Sequence, residues 1–334
     1  MTTHTMVSGG RELRSHIESL GSEAVELTVA ARHEEAAGII SLTLRQADGR
    51  DLPAWRPGGH IDIATPAGLR QYSLCGDPSR ADEWMVAVLD EPDGRGGSRW
   101  IHEHAFESSN LWASSPRDTF RFSPAESALL IAGGIGITPI LPIAEDLAKN
   151  GARLRMLYTA REAGAHAFSG RCRALGGSEL WASGSRGRIP LRQELEAAAP
   201  GMAIYCCGPD SLVDEATELA NELGIGDRLR VERFSADVEA VRAGDSAFSV
   251  TMRRSGKDIV VPADVTLLER LGEEGAFVVS SCHAGICGSC ETPLLSGRAE
   301  HRDQVLTDEE KAVGDCIFPC VSRALPGEHL VLDI

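Results

Sequence analysis

From residue 25 the chain alternates between apolar and polar positions. Ile40, Leu42 and Leu44 are spaced by Ser41, Thr43 and Arg45, and Ile61 and Ile63 flank Asp62. A period of two marks strands with one buried face. Further short strands fit residues 71–74, 85–89 and 119–122, parted by turn chemistry at Gly58-Gly59 and Glu91-Pro92-Asp93-Gly94. So many short strands over residues 23–124 predict a small antiparallel barrel. Residues 1–22 show no sustained period and read as a mobile extension.

The period changes at Ala128. The apolar run 128–132 reads as a buried strand, and Gly133-Gly134-Ile135-Gly136-Ile137-Thr138-Pro139 then opens a helix ending near Gly151. A strand at 154–158, a helix at 191–199 and a strand at 202–206 follow. Pro209 and Asp210 start an amphipathic helix closed by Gly224. Alternating strands and helices over 125–236 mean a doubly wound parallel sheet. Residues 237–246 look like a linker. A third, β-rich module over 247–334 begins with a hairpin pattern at 248–253 and 258–261, then a short helix marked by Leu267, Leu268 and Leu271.

Of the 334 residues 43% are hydrophobic and 25% charged, the balance of a globular protein, and the formal net charge is −16. Such a surface repels a phosphate backbone, which argues against nucleic acid as a partner. The longest uncharged run, 127–144, contains Gly133, Gly134, Gly136, Pro139 and Pro142, so it reads as strand, turn and helix rather than a membrane span. No apolar signal core stands in residues 1–22, and a cytoplasmic location is expected.

Five of the nine cysteines, Cys282, Cys287, Cys290, Cys316 and Cys320, are crowded together. An odd total and tight clustering favour metal ligation over disulfides. Cys282-x4-Cys287-x2-Cys290 followed by a distant cysteine is the spacing of plant-type [2Fe-2S] proteins, in which soft thiolates hold iron. Gly285 and Gly288 let the loop adopt positive φ and bring N–H groups to the sulfurs. Zinc would more often show two two-residue knuckles, and only one is present. Spacing alone leaves Cys316 and Cys320 both open as the fourth ligand.

Gly133, Gly134, Gly136, Thr138 and Pro139 stand where a strand enters a helix, a place that attracts phosphate. Cys207-Gly208-Pro209 closes a later strand at the same sheet edge, where ligands of open α/β sheets bind. Cys206 is expected in the core and Cys207 beside a nicotinamide ring. In the barrel, Arg70-Gln71-Tyr72-Ser73 forms one strand and Arg95-Gly96-Gly97-Ser98 a second anion-suited loop. Nicotinamide yields electrons in pairs and a [2Fe-2S] centre takes them singly. A flavin can convert one into the other, and the barrel is the module left to hold it.

In this order, the motifs Pro57-Gly58-Gly59-His60-Ile61-Asp62, Arg70-Gln71-Tyr72-Ser73-Leu74, Gly94-Arg95-Gly96-Gly97-Ser98, the glycine turn, Cys207-Gly208-Pro209, the cysteine loop and Cys320-Val321-Ser322-Arg323 resemble the phthalate dioxygenase reductase family over residues 24–334. The resemblance implies a multi-domain protein with an FMN-binding antiparallel barrel, a NADH-binding α/β domain and a C-terminal β-grasp ferredoxin domain. It further implies Arg70 on the FMN phosphate side, Tyr72 packed on the ring, Ser73 at flavin N5, and Ala87, Val88, Gly96, Gly97 and Ser98 as further contacts. Thr138 would sit where flavin and nicotinamide meet, and Phe234 would cover a flavin face. The family's fourth iron ligand precedes Val-Ser-Arg, which selects Cys320 over Cys316. The implied function is the reductase of an oxygenase system, with a separate Rieske-type terminal oxygenase or demethylase acting on an aromatic compound as partner. A stand-alone reductase serving a cytochrome or other acceptor is the alternative. No acidic residue ends the second strand of the α/β module, where NADH's ribose would be met, and Arg161 lies there instead, so NADPH stays open beside NADH.

Overall fold

The computed structural model describes residues 10–21, 24–234 and 240–334. Residues 1–9, 22 and 23 of the expected extension, and 237–239 of the expected linker, lie outside them. The chain forms two compact units divided between Phe234 and Ser235. No helix among the described residues is long and apolar enough to cross a membrane.

In the first unit, seven strands build the barrel: β1 (Val25–Ala36), β2 (Ile39–Gln46), β3 (Gly59–Thr65), β4 (Gly68–Ser73), β5 (Trp84–Leu89), β6 (Asn110–Ala113) and β7 (Arg117–Asp118). Their antiparallel order is β4-β3-β6-β1-β2-β5, with β7 on β3. A bridge between Leu74 and Val86, with the Cys75 N–H on the Met85 carbonyl at 2.8 Å, joins the two ends. The alternation predicted for this stretch buries Leu42, Leu44, Ile61, Ile63, Leu74 and Trp84 together inside. Residues 119–122, expected as a strand, are not one. Phe120 and Phe122 alternate because both turn toward Tyr205 of the neighbouring sheet, with ring centroids 5.7 and 6.1 Å away. Within the expected extension, Gly10–Ser19 is a helix whose His16 Nδ1 meets the Thr65 carbonyl at 2.9 Å.

Five parallel strands follow: β8 (Ser127–Gly133), β9 (Arg153–Ala160), β10 (Ser178–Ala182), β11 (Ala203–Cys207) and β12 (Leu229–Glu232), in the order β10-β9-β8-β11-β12. The long uncharged run is β8, a tight turn and the helix Ile137–Lys149. One sheet face carries Leu129, Ile131, Ile204 and Cys206. The other carries Leu130, Ala132, Tyr205 and Cys207, and shares one core with Ile39, Cys75, Ala87 and Phe120 of the barrel. Barrel and sheet are therefore packed as one body.

The second unit contains β13 (Phe248–Met252), β14 (Lys257–Val261), β15 (Thr292–Ser296), β16 (Ala299–Glu300), β17 (Cys316–Ile317), β18 (Arg323–Ala324) and β19 (His329–Leu332). The main sheet runs β14-β13-β19-β15-β17, with β13 and β19 parallel and their outer neighbours antiparallel. The helix Leu267–Glu273 starts with a capping box between Thr266 and Glu269 and lays Leu267 and Leu271 on Phe248, Val250, Leu330 and Leu332. A mixed sheet grasping one helix is the β-grasp expected of this module.

Candidate functional site

Arg70, Gln71, Tyr72 and Ser73 lie on β4. The Arg70 guanidinium donates to the carbonyls of Leu69 at 2.8 Å, Ala67 at 2.6 Å and Arg95 at 3.1 Å, so its position is set by backbone. Gly97 must be glycine for this to happen. A Cβ there would lie 2.5 Å from Arg70 Cγ and 2.6 Å from its Nε. Gly96, at φ 84°, turns the chain into the helix Gly97–His104, whose first N–H groups open beside Arg70. The Ser98 hydroxyl accepts the Glu91 N–H at 3.2 Å and ties the loop to itself. This is a fixed cation next to the first turn of a helix whose start has no side-chain cap among the described residues, an anion cradle.

Tyr72 packs on the barrel core, and burial pushes its phenol upward. The Ser73 hydroxyl is buried and has no hydrogen-bond partner among the described residues. Leaving such a group unpaired costs about 1–3 kcal/mol, so it calls for a polar atom from outside the chain. A flavin with its phosphate on Arg70 and its ring on Tyr72 would supply one. Ala87 faces the core shared with the sheet, while Val88 points into the barrel and its carbonyl takes His102 Nε2 at 3.0 Å.

At the carboxyl ends of β8, β9 and β11 a cleft of about 370 Å³ is lined by Gly133, Gly134, Ile135, Thr159, Arg161, Ser183, Arg188 and Pro209, and by Ile39 and Leu89 of the barrel. It suits an elongated nucleotide reaching from the sheet edge to the barrel. The glycines divide their labour here. Gly134, at φ 53°, has open space where a side chain would be. Gly133 and Gly136 are packing glycines: a Cβ would lie 2.7 Å from Pro209 Cδ at the first and 2.4 Å from the Cys207 carbonyl oxygen at the second. Gly208 closes on Gly133 in the same way. Pro139 and Thr138 are buried behind the turn, the Thr138 hydroxyl donating to the Ile135 carbonyl at 2.9 Å. Cys207 is wholly buried as well, its thiol held far above its ordinary range first by burial and then by Glu232. Phe234, just past β12, is 40% exposed.

Glu232 was not singled out by sequence reasoning, since a lone acid at a strand end has no signature. Parallel pairing places it opposite Cys207. Its carboxyl is buried, has no hydrogen-bond partner among the described residues, and is pushed up to about 8, mainly by burial. His60 Nδ1 is 3.9 Å from it, within ion-pair distance but too far for a hydrogen bond, and with no hydrogen bond to hold a buried charge we read the carboxyl as a neutral acid.

In the second unit the cysteine loop turns through left-handed positions at His283 (φ 59°), Gly285 (φ 68°) and Gly288 (φ 74°). A side chain on Gly285 would strike Val321 at 2.7 Å. The thiols fall into two pairs. Cys290 Sγ donates to Cys320 Sγ at 3.3 Å, which raises the first thiol and lowers the second. Cys282 is brought down to about 6, chiefly by its contact with Cys287, with the N–H groups of Ile286 and Ala284 assisting. The N–H of Ala284 is 3.3 Å from Cys282 Sγ, and that of Ser289 3.5 Å from Cys287 Sγ. Two pairs of soft sulfurs under backbone donors fit two irons bridged by sulfide. Cys316 is in β17 opposite Pro293, outside these pairs.

Residues 250–325 match the 2Fe-2S iron-sulfur cluster binding domain family. A vanillate O-demethylase oxidoreductase of Pseudomonas sp. (strain HR199 / DSM 7063) is 38% identical over 322 residues, which is 93% of this chain and 100% of that protein. The solved structure of phthalate dioxygenase reductase, titled as modular for electron transfer from pyridine nucleotides to [2Fe-2S], superposes with a TM-score of 0.67 at 34% identity, covering 95% of this chain and 99% of that one. An intact type IV self-sufficient cytochrome P450 monooxygenase gives a TM-score of 0.87 at 36% identity, over 93% of this chain but 41% of that one. At this identity and coverage the chain belongs to the phthalate dioxygenase reductase family, flavin- and [2Fe-2S]-dependent oxidoreductases that are the reductase components of oxygenase systems.

Proposed function

We propose that this protein draws electrons from NADH through FMN and a [2Fe-2S] cluster and delivers them, in the cytoplasm, to a separate Rieske-type oxygenase or demethylase acting on an aromatic compound. The observation that carries the reading is one chain holding an unpartnered buried hydroxyl beside a fixed arginine in one unit and two thiol pairs in the other. The substrate class follows the vanillate named for the relative. When bound, the three groups turn an electron pair into single electrons. The chain supplies position and charge.

In this reading Arg70 and the N–H groups of Gly96, Gly97 and Ser98 hold the phosphate of FMN, and Tyr72 and Phe234 bracket its ring. Ser73 offers its hydroxyl to the ring edge, while Gln71, Arg95, Ala87 and Val88 complete the wall through backbone. Gly134 admits the pyrophosphate of the nucleotide. Gly133, Gly136, Thr138, Pro139, Cys207, Gly208 and Pro209 keep the turn and the strand end closed behind it. Cys282, Cys287, Cys290 and Cys320 would hold the cluster.

A second nucleotide has its own support. Arg161 lines the cleft, and its guanidinium has no ion-pair partner among the described residues, whereas Arg188 beside it is 3.0 Å from Glu215. A free guanidinium suits a 2′-phosphate, so NADPH is the competing donor. Anaerobic titration with NADH and NADPH in parallel, followed by flavin absorbance and EPR, tests both. Bleaching with the appearance of a reduced [2Fe-2S] signal is expected. Flavin released from the protein is expected to be FMN, its fluorescence unchanged by phosphodiesterase. A protein without flavin, or without the EPR signal, overturns the reading.

A further inference from the structure

Residues 240–246 are fastened onto the second unit at several points. Ala240 packs against the buried group of Cys290, Phe318, Cys320 and Val321, and its carbonyl accepts from Arg302 Nη1 at 3.2 Å. Asp245 takes both terminal nitrogens of Arg302, at 2.9 and 2.6 Å, and lies 3.5 Å from Arg323 Nε. The Ser246 carbonyl accepts from Arg323 Nη2 at 3.2 Å. Glu300 takes Arg302 Nε at 3.1 Å and Nη2 at 2.9 Å, so every nitrogen of that guanidinium is engaged.

This is unlike a solvated linker charge. The side chains of Arg302 and Arg323 are 3% and 2% exposed, and that of Asp245 only 8%, against 37% for Glu300. Two cations cannot stay buried without a buried counter-charge, and Asp245 is that charge. A turn through Gly244 (φ 96°) aims it, with the Arg242 N–H on its carboxylate at 2.9 Å.

Arg302 and the residues just after it adjoin both thiol-bearing segments. The Arg302 N–H donates to the Ser322 hydroxyl at 3.1 Å, two residues beyond Cys320. The Gln304 N–H donates to the Gly285 carbonyl, inside the cysteine loop, at 2.9 Å. Arg323 itself follows Cys320 by three residues. A short strap, 302–304, thus touches both thiol segments and is gripped by the expected linker.

We propose that residues 240–246 are part of the iron–sulfur site, covering its Cys290–Cys320 side, with Asp245 as the positioning residue that holds both thiol segments through Arg302 and Arg323. The proposal rests on the reading of the four thiols as cluster ligands. Asp245→Asn removes one negative charge beside two buried arginines. The cluster's midpoint potential should then move upward, because its reduced form gains from the uncancelled positive charge.

The test uses the full-length holoprotein as wild type, Asp245→Asn, Asp245→Ala and Asp245→Glu. Three quantities are read: the cluster's midpoint potential by EPR redox titration, the rate of iron release to a ferrous chelator, and hydrogen exchange of the 240–246 amides. Reduction of the bound flavin by NADH reports that the first unit is intact. Expected are an upward potential in Asp245→Asn and iron release on the order of tenfold faster in Asp245→Ala. Faster exchange should accompany both, and Asp245→Glu should restore wild-type values in large part. An Asp245→Ala protein made without a cluster, beside a loaded Asp245→Glu, also supports the proposal. A wild-type potential in Asp245→Asn overturns it, whatever the iron-release rate, because the segment would then be structural only. A wild-type protein lacking any [2Fe-2S] signal would instead sink the cluster reading beneath it.

Discussion

Glu232 makes the stability of the first unit depend on pH in a direction opposite to most acids. Its carboxyl ordinarily titrates at 4.5 and is pushed up to about 8 in the folded chain, first by burial and then by the charge of Asp118. A raised acid costs nothing while protonated in both states, below about pH 4.5. Between 4.5 and 8 the unfolded chain ionises and the folded one does not, so stability falls as pH rises. The loss is about 3 kcal/mol at pH 7 and levels off near 5 kcal/mol above pH 8, at 1.36 kcal/mol per pH unit. Glu232→Gln keeps the shape and removes the ionisation. All five tryptophans, Trp55, Trp84, Trp100, Trp112 and Trp181, lie in the first unit, so tryptophan fluorescence in urea follows that unit alone. Groups other than Glu232 cancel in the difference between the two proteins. We expect similar stability for both near pH 5 and an advantage for the variant that grows to several kcal/mol by pH 8. Parallel pH profiles, or a wild type that gains on the variant as pH rises, would refute the reasoning. The second outcome would mean that His60 and Glu232 are an ion pair at their 3.9 Å separation.

Three further outcomes follow from the geometry. Cys320→Ser should purify with little or no [2Fe-2S] signal while Cys316→Ser keeps it, as read by iron content and EPR; the reverse result would exchange their roles. Gly97→Ala forces a methyl to within 2.5 Å of Arg70 Cγ, so the arginine must leave its three carbonyls. Flavin binding, titrated by fluorescence quenching, should weaken at least about tenfold, or 1.4 kcal/mol, with nucleotide-free stability little changed. Arg171 joins the Glu145 carboxylate, at 2.9 and 2.6 Å, to the buried Cys75 carbonyl at 2.8 Å. Arg171→Met should cost the first unit about 2 kcal/mol in urea denaturation, since charged hydrogen bonds are lost.

Local pattern misled where burial came from somewhere other than the residue's own sheet. Phe120 and Phe122 alternate as a strand would, yet they fill the core between barrel and sheet without ladder pairing. Conversely β10 and β12 were passed over. Ser178–Ala182 is half-exposed along its whole length and carries no buried run to announce it. The glycines show the same limit: position before a helix suggested phosphate for Gly133, Gly134 and Gly136, but contacts separate one open glycine from two that let Cys207 and Pro209 come close. That Thr138 and Cys207, expected at the cofactors, are buried was likewise not legible in their spacing.

What the amino-acid order determines by itself is whatever depends on spacing along the chain. Period-two alternation builds the barrel, strand-turn-helix runs build the parallel sheet, and two- and four-residue gaps draw three thiols into one loop, because each involves residues only a few bonds apart. Pairing residues far apart in sequence belongs to the tertiary fold alone. Cys290 meets Cys320, Cys207 faces Glu232, Gly97 makes room for Arg70, and Asp245 closes on Arg302. None of these follows from spacing along the chain, and for Asp245 and Arg302 burial is tolerable because each distant partner compensates for the water the other has lost.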